Sequence, residues 1–437
     1  MKLSVIGCGY LGAVHAAAMA SLGHDVIGID ADAGKIEQLA AGIAPFHEPG
    51  LPELLANVGS NHHLEFATDY AAAADATVHF LCVGTPQTSG HQSADLTYVN
   101  AAFDSICTVV KPGDLVVGKS TVPVGTAERL AEELAAVEPA ATLVWNPEFL
   151  REGFAVRDTL EPDRLVYGVT EGPAGERAVA ILDEVYATIL ASGTTRHLMD
   201  LATAQLVKVA ANAFLATKIS FINAMAELCE RTGADVVKLA DAIGQDERIG
   251  RRFLNAGLGF GGGCLPKDIR AFMARAGELG ADQTLSFLAE VDAINTRRRM
   301  RMIDLAREAF GGSIVGLNIT VLGAAFKPNS DDIRDSPALD VAERLRQQGA
   351  NVTVTDPAAI PVAQPHHPEL SFVAERDEAL RGADLVLLLT EWAEYQALTP
   401  EHAAGLVAQQ HVIDGRNAWN PETWRSAGWT YRALGRP

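Results

Sequence analysis

Cys264 ends a glycine-rich run, Gly257-Leu258-Gly259-Phe260-Gly261-Gly262-Gly263, and is followed by Leu265-Pro266-Lys267-Asp268. Glycines permit positive φ and bring backbone close to a ligand. Pro266 suits the first turn of a helix, where a missing N–H costs nothing. The spacing therefore predicts a loop-to-helix junction at Cys264. The positive end of that helix and Lys267 would both favour thiolate, and a thiolate is a nucleophile. The ordinary fate of a cysteine is burial, so its company decides. Lys208 and Asn212 lie four apart in the apolar, alanine-rich run Leu206–Leu215 and share a helix face. A partly desolvated lysine there is a candidate base or oxyanion partner; the bland alternatives are a snorkelling lysine and a satisfied interior amide.

A second set of residues opens the chain. The strand-like Lys2–Ile6 runs into Gly7-Cys8-Gly9-Tyr10-Leu11-Gly12, an alanine-rich helix to about Leu22, and a strand Asp25–Ile29 ending at Asp30. This is G-x-G-x-x-G between strand and helix, followed by an acid. It places a pyrophosphate on a helix N-terminus and a ribose 2′-OH on Asp30, which favours NAD over NADP. Lys35 is a candidate contact to a phosphate or the ribose, or is simply solvated.

These residues need a sheet to hold them. Short apolar runs at Thr77–Val83, Leu115–Gly118, Thr142–Trp145 and Arg164–Val169 suit buried parallel strands, whose carboxyl ends gather function. Three segments fall there: Gly84-Thr85-Pro86, Lys119–Pro123 with Thr121, and Asn146–Glu152. Glu148 and Glu152 share a face if that segment is helical, and two carboxylates beside a nucleotide suit acid–base work. Thr195–Thr232 lacks Gly and Pro and predicts one helix of ~35 residues, long enough to span two domains or build a dimer. Another helix is expected over Gln283–Phe310; its Arg297-Arg298-Arg299 reads as a solvated face or an interface. Strands at Ile319–Leu322, Asn351–Thr355, Asp384–Thr390 and His411–Ile413 predict a second α/β unit, with Lys327 and Arg416 as phosphate or sugar contacts at strand ends. The expected fold is α/β: two Rossmann-like doubly wound domains, 1–195 and 311–437, joined by a long-helix central domain, 196–310.

A net charge of −20 argues against nucleic acid or an anionic membrane as partner. No uninterrupted apolar run reaches the ~18 residues of a membrane span. The strand-like start leads us to expect no signal peptide, and five cysteines suggest reduced thiols in the cytoplasm. No metal site is expected.

The motifs Gly9–Gly12, Ser120–Thr126, Asn146–Gly153, Lys208 with Asn212, Gly259–Asp268 and Phe326-Lys327-Pro328 together resemble the UDP-glucose/GDP-mannose dehydrogenase family, over essentially the whole chain. The resemblance implies NAD-dependent four-electron oxidation of a sugar nucleotide, UDP-glucose to UDP-glucuronate, in a homodimer; the alternative is the same chemistry on GDP-mannose or another sugar nucleotide. It implies that Cys264 attacks the C6 aldehyde and forms a thiohemiacetal, then a thioester. Lys208, Asn212 and Asp268 would assist the first hydride transfer, Thr121 would help hold a water, and Glu148 would help hydrolysis. Gly7, Gly9, Tyr10, Leu11, Gly12, Asp30, Lys35, Thr85, Thr121, Glu152, Lys267 and Arg334 fall on the cofactor side. Glu148, Phe149, Leu150, Lys208, Asn212, Phe260, Gly261, Lys327 and Arg416 fall on the substrate side, and Arg248 at a position that reaches a neighbouring subunit's substrate. The chain departs from the family at Gly263, where serine is common, at Gly84 and at Ala324-Ala325. A single-step hydroxyacid dehydrogenase would leave Cys264 and the second α/β unit without a task. A non-catalytic NAD-sensing protein would not need Cys264, Lys208 and Asp268 together.

Overall fold

A computed structural model describes residues 1–59 and 63–437. The chain divides into two compact units, residues 1–211 with 274–280, and residues 212–273 with 281–437.

In the first unit the described residues form one sheet from β1 (Lys2–Ile6), β2 (Asp25–Ile29), β3 (Leu64–Ala67), β4 (Val78–Leu81), β5 (Leu115–Gly118), β6 (Thr142–Trp145), β7 (Arg164–Gly168) and β8 (Thr195–Met199), in the order β3-β2-β1-β4-β5-β6-β7-β8. All pairings are parallel except β6 with β7. The strands are apolar on both sides because helices cover both faces: Leu115 and Val117 enter one core and Val116 the other. The order reverses between β1 and β4, the switch point that opens a crevice at the strands' carboxyl ends.

In the second unit β9 (Asn318–Leu322), β10 (Asn351–Thr355), β11 (Ser371–Phe372), β12 (Leu385–Leu388), β13 (His411–Asp414) and β14 (Thr430–Ala433) form a parallel sheet in the order β11-β10-β9-β12-β13-β14. This repeats the order of β3-β2-β1-β4-β5-β6, so both α/β expectations hold.

Four helices carry or support the candidate residues: α1 (Tyr10–Ser21), α2 (Leu201–Thr232), α3 (Leu265–Glu278) and α4 (Phe287–Ala309). Three expectations need correction. Thr195–Met199 is a strand, not the start of the long helix; it pairs with β7, and Asp200 then caps α2, accepting from Thr203 N at 2.8 Å and the Thr203 hydroxyl at 2.8 Å. Asn146–Arg151 is loop rather than helix, so Glu148 and Glu152 share no helical face. The arginine triplet is a solvated face only at Arg297, half of whose side chain is exposed. Arg298 is 0% exposed and meets Glu230 at 3.0 Å, and Arg299 meets Asp335 at 2.8 Å. Each buried guanidinium has a carboxylate, the condition on which a charge is tolerated inside. Among the described residues α2 is long and apolar enough by composition to cross a membrane. It carries Lys208 and Lys218 and buries Ala213, Ala216, Ile222, Ala226 and Cys229.

Candidate active site

The first glycines are required by space. Gly7 has φ +88°, and a Cβ on Gly12 would lie 1.7 Å from the Gly7 carbonyl oxygen. Gly9 differs: among the described residues a Cβ there would meet no atom beyond its chain neighbours within 4 Å, and no side chain caps the first turn of α1. Among the described residues no side-chain cap takes up the backbone N–H groups at this helix start, as a pyrophosphate site needs. Asp30 accepts from Cys8 N at 2.8 Å, Asp32 N at 3.0 Å and Lys35 Nζ at 3.0 Å. It thus ties the glycine loop to β2, and Lys35 is its counter-ion. Tyr10 stacks on Phe46, with ring centroids 4.9 Å apart, and its hydroxyl donates to Glu48. Leu11 packs on the core of this unit. Glu48 is 2% exposed and also accepts from Gly153 N at 2.6 Å and Ala155 N at 2.7 Å. It thereby anchors the segment that carries the buried Glu152.

Two further loops leave the ends of β5 and β6. The Thr85 hydroxyl donates to the Thr121 carbonyl at 2.8 Å. After β6, Glu148 pairs with Lys208 of α2 at 2.8 Å, with 14% and 6% of the two side chains exposed. Glu148 also accepts from Leu150 N. The Phe149 ring lies between two cations, Arg164 at 3.9 Å and Lys208 at 5.6 Å from its centroid. The lysine is held by a carboxylate rather than standing alone in an apolar run.

In the second unit Cys264 is exposed and sits immediately before α3, its carbonyl accepting from Asp268 N at 2.9 Å. Pro266 falls in the first turn, as its position predicts. Asp268 is 2% exposed; it accepts from the Asn212 amide at 2.6 Å and from Lys267 Nζ at 2.6 Å. Lys267 thus spends its charge on Asp268. The glycine run is clamped along its length. Asn223 accepts from Gly257 N at 2.9 Å, Asn295 accepts from Phe260 N at 2.7 Å and donates to Phe260 O at 2.9 Å, and Gly262 N donates to Arg334 O at 2.8 Å. Glycine is needed at Gly261, where a Cβ would lie 2.3 Å from Asp335 O, whereas at Gly263 a Cβ would meet the end of the Arg334 side chain, which can move aside.

The remaining candidates divide. Lys327 lies 5.2 Å over Phe326, whose ring faces Gly262. Arg416 donates to the carbonyls of Leu389 at 2.7 Å, Gly259 at 3.0 Å and Phe326 at 3.2 Å. It staples the strand ends of the second sheet to the glycine run. Arg248 stands apart in a turn, 88% of its side chain exposed, paired with Asp246.

Three family models cover most of the chain: the NAD binding domain of the UDP-glucose/GDP-mannose dehydrogenase family matches residues 1–190, its central domain residues 202–297 and its UDP binding domain residues 320–421. A UDP-glucose 6-dehydrogenase of Rhizobium meliloti is 41% identical, with 100% of each chain covered. The chain belongs to the UDP-glucose/GDP-mannose dehydrogenase family. Among solved structures, a UDP-glucose dehydrogenase from Pyrobaculum islandicum is 37% identical with a TM-score of 0.90, covering 100% of this chain and 98% of that one. A UDP-D-ManNAc dehydrogenase from Pyrococcus horikoshii is 26% identical with a TM-score of 0.86, covering 100% and 99%.

The open Gly9, the half-buried start of α1 and the partly exposed Asp30 fit the NAD that this family's first domain binds. Glu48 and Asn295 are supporting residues that sequence reasoning passed over. Each acts on backbone far along the chain, Glu48 on Gly153 and Asn295 on Phe260, and neither sits in a local pattern that would mark it.

Proposed function

We propose that this dehydrogenase oxidises UDP-glucose to UDP-glucuronate at the sugar C6. The observation that carries this is Cys264: the exposed cysteine, at a clamped glycine run before α3, in a chain 41% identical over its full length to a UDP-glucose 6-dehydrogenase. NAD, when bound, supplies the acceptor for the two hydrides. An aldehyde has no second hydride ready to leave until a nucleophile adds to it. The Cys264 thiolate forms a bond to the aldehyde carbon, and the carbonyl electron pair moves to oxygen. Loss of hydride leaves a thioester; water then adds and the C–S bond breaks, returning thiolate and the carboxylate. In the second unit Asn212 and Asp268, one bonded to the other, supply polar groups for the oxyanion and for proton movement. In the first unit Lys208 and Glu148 pair with each other, and Thr121 lies on the loop after β5, next to the Glu148 loop after β6.

The same reading includes a homodimer. Phe214, Phe221 and Leu228 recur at heptad spacing on α2 and are 66%, 49% and 57% exposed, an apolar stripe that a second copy would cover. Arg248, exposed in its turn, would then reach the neighbouring subunit's substrate. Sedimentation of Phe221→Asp is expected to give monomers.

The deciding experiment is NADH released per limiting UDP-glucose, beside Cys264→Ser. Two NADH per sugar with turnover lost in the variant support the reading. One NADH with an active variant overturns the cysteine chemistry. Turnover with GDP-mannose alone keeps the chemistry and changes the substrate.

A further inference from the structure

Lys119 directly follows β5 and is 7% exposed. Its ammonium donates to Asn146 Oδ1 at 3.0 Å, and weakly to the Tyr186 hydroxyl at 3.4 Å and the Asn146 carbonyl at 3.5 Å. The rings of Phe80 and Tyr186 lie 6.0 and 5.9 Å away. Among the described residues none of its bonding partners is a carboxylate. A lysine is almost never buried unless paired, because removing its charge from water costs several kcal/mol. Methionine would fill the space without that cost, so packing does not explain the ammonium.

Its bonds do. Asn146 is 1% exposed and fully engaged: its N donates to Gly118 O at 2.8 Å, its Nδ2 to Val166 O at 2.9 Å, and its Oδ1 accepts from both Lys119 and the Tyr186 hydroxyl, the latter at 2.7 Å. Two residues on, Glu148 meets Lys208. The Lys119 backbone opens the neighbouring loop, where Ser120 donates to Val83 O at 2.7 Å and the Thr121 carbonyl accepts from Thr85. One side chain therefore joins two strand-end loops. We propose that Lys119 is a positioning residue for turnover, its ammonium tying the Thr121 loop to the Glu148 loop so that the Glu148–Lys208 pair keeps its geometry.

The groups facing Lys119 are His15 from α1, Cys82 after β4, Glu148, Lys208 from α2, and Tyr186. Burial pushes the Lys119 ammonium down to about 8, with Cys82 and Glu148 opposing and Lys208 reinforcing. Burial also holds His15 neutral, and it pushes the Cys82 thiol up to about 12 and the Tyr186 phenol up. Near pH 8, then, His15, Cys82 and Tyr186 keep one state while Lys119 changes.

The inference rests on Glu148 and Lys208 working in turnover, so Glu148→Gln is measured beside the test variants. NADH release from UDP-glucose is followed from pH 6.5 to 9.5. Lys119→Met is expected to lower kcat about tenfold or more, the loss of a buried charged hydrogen bond, with KM changed far less, and to lose the fall in rate near pH 8. Asn146→Asp gives the ammonium a carboxylate and is expected to move that fall to higher pH. Lys119→Met with kcat within about twofold and an unmoved profile, whatever its Tm, overturns the inference. If Lys119→Met does not fold, an unmoved profile in Asn146→Asp overturns it instead. If Glu148→Gln keeps full kcat, the underlying reading of the pair fails, which is a separate result.

Discussion

The Asn212 amide donates to the Asp268 carboxylate at 2.6 Å, bringing a residue of α2 and a residue of α3's first turn together out of water. Lys267 closes on the other oxygen. A buried carboxylate with two such donors holds them as firmly as it is held. Asp268→Ala removes both acceptors and strands the Asn212 amide, costing roughly 2–4 kcal/mol of stability. With the oxyanion partners displaced, kcat is expected to fall on the order of a hundredfold, while the NAD dissociation constant, governed mainly by the glycine loop of the first unit, changes far less. Steady-state kinetics beside NAD titration separate the two; a kcat within a few-fold of wild type would remove Asp268 from the chemistry.

The two glycines of the nucleotide loop should fail differently. A Cβ at Gly12 would lie 1.7 Å from the Gly7 carbonyl, whereas Gly9 has φ −72° and open space before it. Gly12→Ala must push α1 off the sheet, at about 3 kcal/mol or more. Gly9→Ala keeps an allowed backbone and should leave stability within about 1 kcal/mol, yet put a methyl where the pyrophosphate would lie. Thermal melts should show the loss in Gly12→Ala only, and NAD titration at least a tenfold weakening in Gly9→Ala. Unchanged NAD affinity in Gly9→Ala would move the cofactor elsewhere.

Cys264 should also stand apart in reactivity. Burial pushes the thiols of Cys8, Cys82, Cys107 and Cys229 up, and Cys264 is the exposed cysteine among the five. Reactivity follows thiolate and access. Iodoacetamide at pH 7.5 should therefore label Cys264 first by mass spectrometry, with NADH production lost in step. Labelling of Cys107 at the same rate would count against an activated Cys264.

Local pattern revealed most of the strands, though not β3, β8, β11 or β14, together with the nucleotide loop and the Cys264 junction, because apolar runs and glycine turns are local signals. It did not reveal where charges go. Arg298 and Arg299 read as part of a solvated face or an interface, yet they are buried and their carboxylates come from Glu230 and Asp335, far along the chain. Glu48 looks like one acid before a Pro-Gly turn, and its task is 105 residues away at Gly153. Arg416 reads as a phosphate or sugar contact, and no local pattern foretells that its donors also hold carbonyls of three separate loops. Residues that position a site are set by tertiary contact, which has no period. The start of α2 is different in kind: Asp200 is a legible N-cap, but apolar residues continue on both sides of it and mask the boundary.

Lys119 leaves a mark on stability as well as on rate. Its folded pKa is about 8, against 10.5 ordinarily. Below pH 8 folded and unfolded chains both carry the proton, so the whole cost of burying the charge is present. Between about 8 and 10.5 the folded chain has shed a proton that the unfolded chain keeps, so this group's contribution to stability rises with pH. At 1.36 kcal/mol per unit the rise totals about 3 kcal/mol. Lys119→Met lacks this titration and shares the others. Its unfolding free energy in urea, minus that of wild type, is therefore expected to fall by about 3 kcal/mol between pH 7.5 and 10.5. Because the hydrogen bonds lost in the variant shift that difference by a constant, its slope with pH is the readout. A slope of zero would mean that the folded pKa is not lowered and the amine is reached by water.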